Sequence, residues 1–309
     1  MAAPSRKRYM AFSGAELDHS DHERTDDAVR AAAAEPEARA LLFHGLNAGL
    51  SPDGRPLSAP VADLGERELA DPGLVFLGRS ERDRRAWFAA ELPDPTGLAT
   101  VDAFPDMRFS AGAMEPEALA IAGRARALLD WHATHRFCAN CGVRSAPAKG
   151  GAVRMCGACG REHYPRVNPV AIMLVTHSDG GEDSVLLGRQ ANWPPGSFST
   201  LAGFVSPGED LEECCAREVH EEVGVRVSDV RYLMSQSWPF PSQLMLGLAA
   251  RAQSRELTVD ESELETARWF TRTEVEAVFA KVGDAFRRPP RFTIAHQLLR
   301  HWLQEGPEL

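Results

Sequence analysis

Hydrophobic and polar positions follow two periods along the chain, one typical of strands and one typical of helices. Short apolar runs that predict strands lie within 37–93, at VAIMLVTH and SVLLGRQ after residue 169, and at 229–235 and 243–252. Apolar residues three and four apart predict helices over 115–132, 210–222 and 292–304. Gly224 ends the second of these helices. No internal repeat is visible, so the chain is not a solenoid of repeated units.

Composition describes an ordinary globular chain. Its 309 residues are 44% hydrophobic and 25% charged, which predicts two or three domains. The formal net charge of -10 gives no general attraction to nucleic acid or to an anionic membrane. No apolar run reaches membrane-spanning length, and the N-terminal residues do not resemble a secretory signal. We therefore expect a soluble, cytoplasmic protein without a membrane partner.

Four of the six cysteines form two C-x2-C pairs separated by fourteen residues: Cys138, Cys141, Cys156 and Cys159. In a chain without an export signal this spacing favours zinc over disulfides, because two such turns complete a tetrahedron of thiolates. A site with four sulfur ligands is closed, and is therefore structural. Gly142, Gly157 and Gly160 suit the tight turns around it. The alternative is two unrelated redox pairs. Cys214 and Cys215 are adjacent on a predicted helix and are interpreted as packing residues.

An acidic segment, GFVSPGEDLEECCAREVHEEVGV, runs from residue 203 to residue 225. On a helix, Glu218, Glu221 and Glu222 project to one side. Three neighbouring carboxylates repel one another unless a cation joins them, and such hard oxygen ligands suit Mg²⁺ or Mn²⁺. On charge alone, a solvated acidic helix is an equally good interpretation.

The spacing within this segment is G-x5-E-x7-R-E-U-x-E-E-x-G-U, where U is a bulky aliphatic residue. Its fixed positions are Gly203, Glu209, Arg217, Glu218, Val219, Glu221, Glu222, Gly224 and Val225. The pattern resembles the signature of the Nudix hydrolases. The resemblance implies an α/β/α sandwich on a mixed sheet and hydrolysis of a nucleoside diphosphate linked to another group. It implies catalytic, metal-binding roles for Glu218, Glu221 and Glu222, one of them as the base. It gives Gly203, Glu209, Arg217 and Gly224 structural roles.

A second motif, SQSWPFPSQLM at 235–245, narrows the resemblance. Together with the cysteine segment it is similar to the NADH pyrophosphatase family, whose usual pattern is S-Q-P-W-P-F-P-x-S. Ser237 replaces a proline, Ser242-Gln243 reverses the usual order, and Asn168 replaces an aspartate in YPRVNP. The resemblance implies a further metal ligand at Glu263, with Glu256 and Glu261 as competitors. It implies substrate contacts at Tyr164, Gln236, Ser237, Trp238, Pro239, Phe240, Pro241, Ser242, Gln243 and Ala295.

Local chemistry leaves the WPFP loop open. Trp238 and Phe240 offer flat faces on which a ring can stack, and the two prolines stiffen the loop. The alternative is a hydrophobic loop that anchors into a core.

The family resemblance also implies an architecture. It predicts an α+β chain with an N-terminal α/β domain at 1–130 that serves dimerisation, a zinc ribbon at 131–165 and a Nudix domain at 166–309. It implies a homodimer in which each site is completed near the interface. Structural Zn²⁺ and catalytic Mg²⁺ or Mn²⁺ are the expected metals.

The implied reaction splits NADH or NAD⁺ with water into nicotinamide mononucleotide and AMP. The runner-up is removal of the NAD cap from RNA 5′ ends. Non-specific RNA affinity is disfavoured by the net charge, although a local basic patch at Arg79, Arg82, Arg84 and Arg85 is possible.

An alternative of another class is a non-catalytic nucleotide sensor or a nucleic-acid-binding zinc-ribbon protein. Two features count against it. Every carboxylate of the signature is present, and the ribbon contains no run of lysines and arginines.

Overall fold

The computed structural model describes residues 10–65, 69–178 and 180–305. The chain divides into two compact units. The first comprises the chain up to Val167 together with Ser237–Ser242, and the second comprises Asn168–Gln236 together with the chain from Gln243. Within the described residues, no helix is both long and apolar enough to cross a membrane.

The first unit begins with a six-stranded mixed sheet. Its strands are β1 (Leu17–Asp18), β2 (Arg39–His44), β3 (Asn47–Ala48), β4 (Ser58–Pro60), β5 (Leu74–Ser80) and β6 (Ala86–Glu91). The order is β1-β5-β6-β2-β3, with β4 also paired to β2, and only β2 and β6 run parallel. The helices are α1 (Asp26–Ala33), α2 (Val61–Leu64), α3 (Met107–Ser110) and α4 (Pro116–Thr134). Short 3₁₀ turns lie at Asp21–Glu23, Val101–Ala103, Ala111–Ala113 and Lys149–Gly151.

The cysteine segment follows α4 as a small antiparallel sheet in the order β7-β8-β9. These strands are β7 (Ala146–Ala148), β8 (Val153–Met155) and β9 (Glu162–His163). Strands of two or three residues cannot bury a core of their own, so this segment depends on other links.

One of those links is Arg154 on β8, whose side chain is fully buried. Its guanidinium donates to both carboxylate oxygens of Asp71, at 2.9 and 3.2 Å, and to Ser145 Oγ at 3.0 Å and the Ser145 carbonyl at 2.7 Å. It also lies 3.1 Å from Nδ1 of His132 on α4. Burial lowers the pKa of His132 to about 4, so the neutral ring can accept from the arginine. The ribbon is thereby tied to the N-terminal domain.

The second unit is built on another six-stranded mixed sheet. Its strands are β10 (Asn168–His177), β11 (Ser184–Arg189), β12 (Leu201–Phe204), β13 (Val227–Trp238), β14 (Gln243–Ala252) and β15 (Thr266–Thr271). The order is β13-β14-β10-β11-β15, with β12 paired to β10. The pair β10 and β14 is parallel, and β10 is antiparallel to both β11 and β12. The helices are α5 (Leu211–Val223), α6 (Arg272–Ala280) and α7 (Ile294–Glu305).

Alternation along β10 places helices on both faces of this sheet. The core on the α5 side includes Ala171, Met173, Val175, Val219 and Val223. On the other face, Ile172 is paired with Gly247 of β14, where a Cβ would contact Ile294 and Leu298 of α7 at 3.1 Å. A mixed sheet with a helix on each face confirms the expected α/β/α sandwich.

The boundaries of α5 are encoded locally. Asp210 accepts from the Glu213 N–H at 2.8 Å, and Glu213 accepts from the Asp210 N–H at 3.1 Å, which is a capping box. Gly224 follows the helix with φ 73°, a left-handed conformation that glycine adopts without strain. The three predicted helices occur as α4, α5 and α7. The hydrophobic pattern does not predict α6, although the residues of its capping box, Thr271 and Glu274, are present in the sequence.

Replacement of Asp71 by alanine tests the link through Arg154. The change leaves a buried guanidinium without its counter-charge, so we expect the free energy of unfolding of the first unit to fall by about 3 kcal/mol. Arg144→Ala is the matched control, because Arg144 also contacts Asp71 at 2.7 Å but its side chain is 57% exposed. The control is expected to cost less than about 1 kcal/mol. Equal losses in chemical denaturation would contradict the assignment of Arg154 as the link.

Candidate active site

Glu218, in the middle of α5, lies directly against β12. A Cβ at Gly203 would lie only 1.8 Å from Glu218 Cδ. The Glu218 carboxylate therefore occupies space that is free only because residue 203 is a glycine. Only 12% of the Glu218 side chain is exposed. Gly203, the first glycine of the motif, therefore has a steric role: it leaves room for Glu218.

Arg217 braces the loop before α5 and neutralises part of the acidic face. It bonds Glu209 through both nitrogens of its fork, one contact measuring 2.7 Å between Nη2 and Oε2. The Ser206 N–H donates to the same carboxylate at 2.9 Å. Arg217, then this N–H, lower the pKa of Glu209 to about 2. Arg217 Nη1 also lies 2.8 Å from Glu218 and 2.9 Å from Glu221.

Glu222 is the most constrained carboxylate of the cluster. It is 6% exposed, and its Oε2 has no hydrogen-bond partner among the described residues. Burial raises the pKa of Glu222 to about 8, with smaller contributions from Glu218 and Glu263. A buried carboxylate oxygen without a donor, beside two further carboxylates, fits a hard divalent cation.

Glu263 reaches the cluster through the segment that follows β14. The Asp260 N–H donates to the Glu222 carbonyl at 2.9 Å, and the Glu263 N–H donates to the Asp260 carbonyl at 3.1 Å. This turn lies beside the end of α5. The charge of Glu263 acts on Glu222, whereas Glu256 and Glu261 are not among the groups that shift its pKa. Glu263 as the additional metal ligand stays a prediction, and of the three candidates it is the one whose charge acts on Glu222.

The glutamate oxygens do not converge as closely as the cysteine sulfurs. Among the described residues, the four cysteines are the only His, Cys, Asp or Glu group of three or more whose ligand atoms lie within 4.8 Å of one another. Glu218 and Glu221 are instead bonded to Arg217. A bound cation would have to share these two carboxylates with Arg217 or take its place.

The cysteine geometry fits tetrahedral zinc. Cys138 Sγ lies 3.7 Å from Cys159 Sγ, and Cys141 Sγ lies 3.5 Å from Cys156 Sγ. Four Zn–S bonds of about 2.3 Å give sulfur–sulfur edges of about 3.8 Å. The same turn occurs twice, with Gly142 donating to the Cys138 carbonyl and Gly160 to the Cys156 carbonyl, each at 2.9 Å.

Two glycines of these turns are left-handed, with φ 75° at Gly142 and 71° at Gly160. Gly157 does not have a positive φ, so the backbone conformation does not require a glycine at this position, contrary to expectation. Cys214 and Cys215 lie in the hydrophobic core, and burial raises their pKa values to about 11 and about 12. They are therefore inert packing residues, as expected.

The WPFP loop is packed within the first unit. The rings of Trp238 and Phe240 contact Phe12 at centroid distances of 5.7 and 5.6 Å, and Arg126 lies 4.6 Å from the Phe240 centroid. Arg126 also donates to the Pro239 carbonyl, and the Ser237 N–H donates to Ser13. Both rings remain half-buried rather than fully enclosed. The loop is thus anchored, as the alternative expectation described, while its rings keep accessible surface.

The other predicted substrate residues differ in accessibility. Tyr164 is 53% exposed, and its hydroxyl donates to Glu162. Gln236 is 1% exposed and bonds the Phe292 carbonyl and the Ile294 N–H, each at 2.7 Å, so its amide orients the start of α7. Ala295 is 4% exposed. Half-buried or exposed positions are Ser237, Pro241, Ser242 and Gln243.

Family models match three successive segments of the chain. They are a NADH pyrophosphatase-like rudimentary NUDIX domain at residues 37–131, a NADH pyrophosphatase zinc ribbon domain at 133–164 and a NUDIX domain at 167–290. A Mycobacterium tuberculosis protein named NAD-capped RNA hydrolase NudC is 38% identical over 294 residues, covering 92% of each chain. The chain therefore belongs to the NADH pyrophosphatase family of Nudix hydrolases.

A human relative, NAD-capped RNA hydrolase NUDT12, is 41% identical over 265 residues. The match covers 79% of this chain but only 56% of the human protein, so the chain spans little more than half the length of that relative. A solved NUDIX hydrolase from Nitrosomonas europaea is 24% identical, with a TM-score of 0.43 over 55% of this chain and 91% of its own.

Sequence reasoning missed two residues of these sites. His163 Nε2 lies 3.2 Å from Cys138 Sγ, and its position four residues after Cys159 was the available signal. Arg126 on α4 donates a hydrogen bond to the WPFP loop more than a hundred residues later in the chain, and no local sequence pattern predicts that contact.

Replacement of Gly203 by alanine tests the steric role of this glycine. The new Cβ must displace the Glu218 carboxylate, so we expect a loss of about 10²-fold in kcat with little change in zinc content. Gly157→Ala is the control, because a Cβ there meets no atom within 4 Å. An active Gly203→Ala enzyme would contradict the placement of Glu218.

Replacement of Glu222 by glutamine tests the burial of this carboxylate. Because the pKa of Glu222 is raised from 4.5 to about 8, the folded state holds a proton that the unfolded chain has lost, and stability falls as pH rises through this window. In buffer without Mg²⁺ or Mn²⁺ the variant should therefore gain Tm over wild type at pH 8.5 and gain less at pH 5. When the cation is added, the variant should show no turnover. Glu212→Gln, at an exposed position of the same helix, should shift Tm little at either pH. A pH-independent difference would contradict the raised pKa.

Proposed function

We propose that this chain hydrolyses the diphosphate bond of NADH and NAD⁺, giving nicotinamide mononucleotide and AMP. The observation that carries the proposal is the buried, donor-free carboxylate oxygen of Glu222 beside Glu218 and Glu263. Membership of the NADH pyrophosphatase family supports the choice of a nicotinamide dinucleotide.

The proposed mechanism assigns roles to the chain's own carboxylates. Glu218, Glu221, Glu222 and Glu263 would hold Mg²⁺ or Mn²⁺. The metal would neutralise the diphosphate and acidify a water molecule. Hydrolysis adds the oxygen of a water molecule to one phosphorus as the bridging P–O bond breaks, and a glutamate of the cluster would take the water's proton and pass it to the leaving phosphate. The ion pair between Glu209 and Arg217 holds the loop before α5 against the helix during this reaction.

Removal of the NAD cap from RNA is the second candidate function. It is favoured because the human and mycobacterial relatives are both named NAD-capped RNA hydrolases. The bond broken is the same diphosphate, so one set of glutamates serves both substrates. We further propose a homodimer and contacts from Tyr164 and the WPFP loop to the bases of the substrate.

A competition assay tests the proposal. Purified protein with Mg²⁺ or Mn²⁺ receives equimolar NADH, NAD⁺, ADP-ribose and a short NAD-capped RNA, and the products are resolved by mass. We expect cleavage of the nicotinamide substrates ahead of ADP-ribose, and none by Glu222→Gln. Preferential release of nicotinamide mononucleotide from RNA would make decapping the main activity. Binding of the dinucleotide without turnover would contradict the proposal and support a sensor.

A further inference from the structure

The ribbon carries a charge opposite to that of the chain. Between residues 136 and 166, five arginines and one lysine oppose a single glutamate, a formal charge of +5 against -10 for the whole protein. A zinc ion with four thiolates contributes -2, so the loaded ribbon stays cationic. These cations are scattered in sequence, and they form no run.

The four arginines of the possible basic patch, Arg79, Arg82, Arg84 and Arg85, are paired with carboxylates. Arg79 bonds Glu35 at 2.8 Å, and Arg82 bonds both Glu16 and Glu117, at 2.7 and 2.9 Å. Arg84 bonds Asp18 at 2.9 Å, and Arg85 lies 3.5 Å from Glu37. The basic patch that the sequence left open at these four positions is therefore a set of ion pairs.

Three arginines of the ribbon differ from them. Arg136, Arg161 and Arg166 have no ion pair within the described part of the chain, and Arg161 and Arg166 are exposed. The remaining ribbon cations are engaged with carboxylates, at Arg144, Lys149 and Arg154.

Two exposed aromatic rings lie close in sequence to these arginines. Phe137 is 63% exposed and Tyr164 is 53% exposed. Phe137 precedes Cys138, and Tyr164 follows His163. The side chains of Cys138 and His163 lie 3.2 Å apart, so folding brings the two segments that carry the rings together. The bond from the Tyr164 hydroxyl to Glu162, which Lys149 also holds, restrains that ring.

We propose that this ribbon face, defined as Arg136, Phe137, Arg161 and Arg166 and bordered by the substrate-contacting Tyr164, binds the single-stranded RNA that follows the NAD cap. Exposed rings on which bases stack, interleaved with cations that contact phosphates, are the features by which proteins hold single strands. The inference rests on the proposed function, because it takes the strand to be the one that carries the NAD cap. It extends that function by assigning the RNA body its own surface, which a free dinucleotide does not need.

The test compares a small substrate with a capped one. The variants are Phe137→Ala and the double variant Arg161→Ala/Arg166→Ala. The control is Arg82→Ala, whose arginine is already neutralised. For an NAD-capped RNA with about ten unpaired nucleotides, each test variant should lower kcat/KM about tenfold, as expected for one lost stacking partner or two lost phosphate contacts. For NADH, kcat/KM should stay unchanged in all three.

A binding assay separates this inference from the proposed function. Anisotropy of a fluorescent, uncapped 5′-phosphorylated RNA of the same sequence needs no catalysis. The slope of log affinity against log salt should become shallower by about 0.7 for each lost phosphate contact in the double variant, and stay unchanged in Arg82→Ala. Zinc content and oligomeric state are measured for every variant.

Unchanged RNA binding and decapping in variants that retain zinc would overturn the inference, while NADH turnover would leave the proposed function intact. A change of oligomeric state without a change in RNA affinity would make the face an interface between copies, and would also overturn it. If wild type hydrolyses neither substrate, the proposed function fails, and the anisotropy result alone decides the ribbon face.

Discussion

The second unit depends on holding several carboxylates together in a partly buried place. Glu222 is buried beside Glu218 and Glu263, and its raised pKa measures the cost of that arrangement. Three features make the cluster tolerable in the folded chain. Gly203 provides space for Glu218, Arg217 pairs with Glu218 and Glu221 and offsets part of their charge, and Glu209 fixes Arg217. A divalent cation would remove the remaining repulsion, which is why a site of this kind is coupled to metal binding.

In the first unit, the zinc ribbon has to be stabilised without a hydrophobic core of its own. The ribbon strands are too short to form a core, so its structure depends on four sulfurs placed to hold zinc and on the buried Arg154. The WPFP loop is fixed in this unit by Phe12 and Arg126. In this way residues far apart in sequence present the aromatic loop and the cationic ribbon on one compact unit.

Much of the site was predictable because its residues are close in sequence. The two C-x2-C turns and the acidic helix each carry their own spacing, and the caps of α5 are local. Tertiary consequences were not predictable. The spacing marks Gly203 without revealing that Glu218 occupies the space beside it. Nothing near Trp238 indicates Phe12, and nothing near Arg82 indicates that Glu16 and Glu117 neutralise it. Gln236 was expected from its motif to contact substrate, and nothing in that motif indicates that its amide bonds Phe292 and Ile294.

Calorimetric titration with Mn²⁺ at pH 7, in two buffers of different ionisation enthalpy, tests the central claim most directly. Because burial raises the pKa of Glu222 to about 8, we expect cation binding at pH 7 to release close to one proton per site in wild type. Glu222→Gln should release almost none and bind the cation more weakly. Equal proton release and equal affinity in the two proteins would contradict the claim that this buried carboxylate is the centre of the metal site.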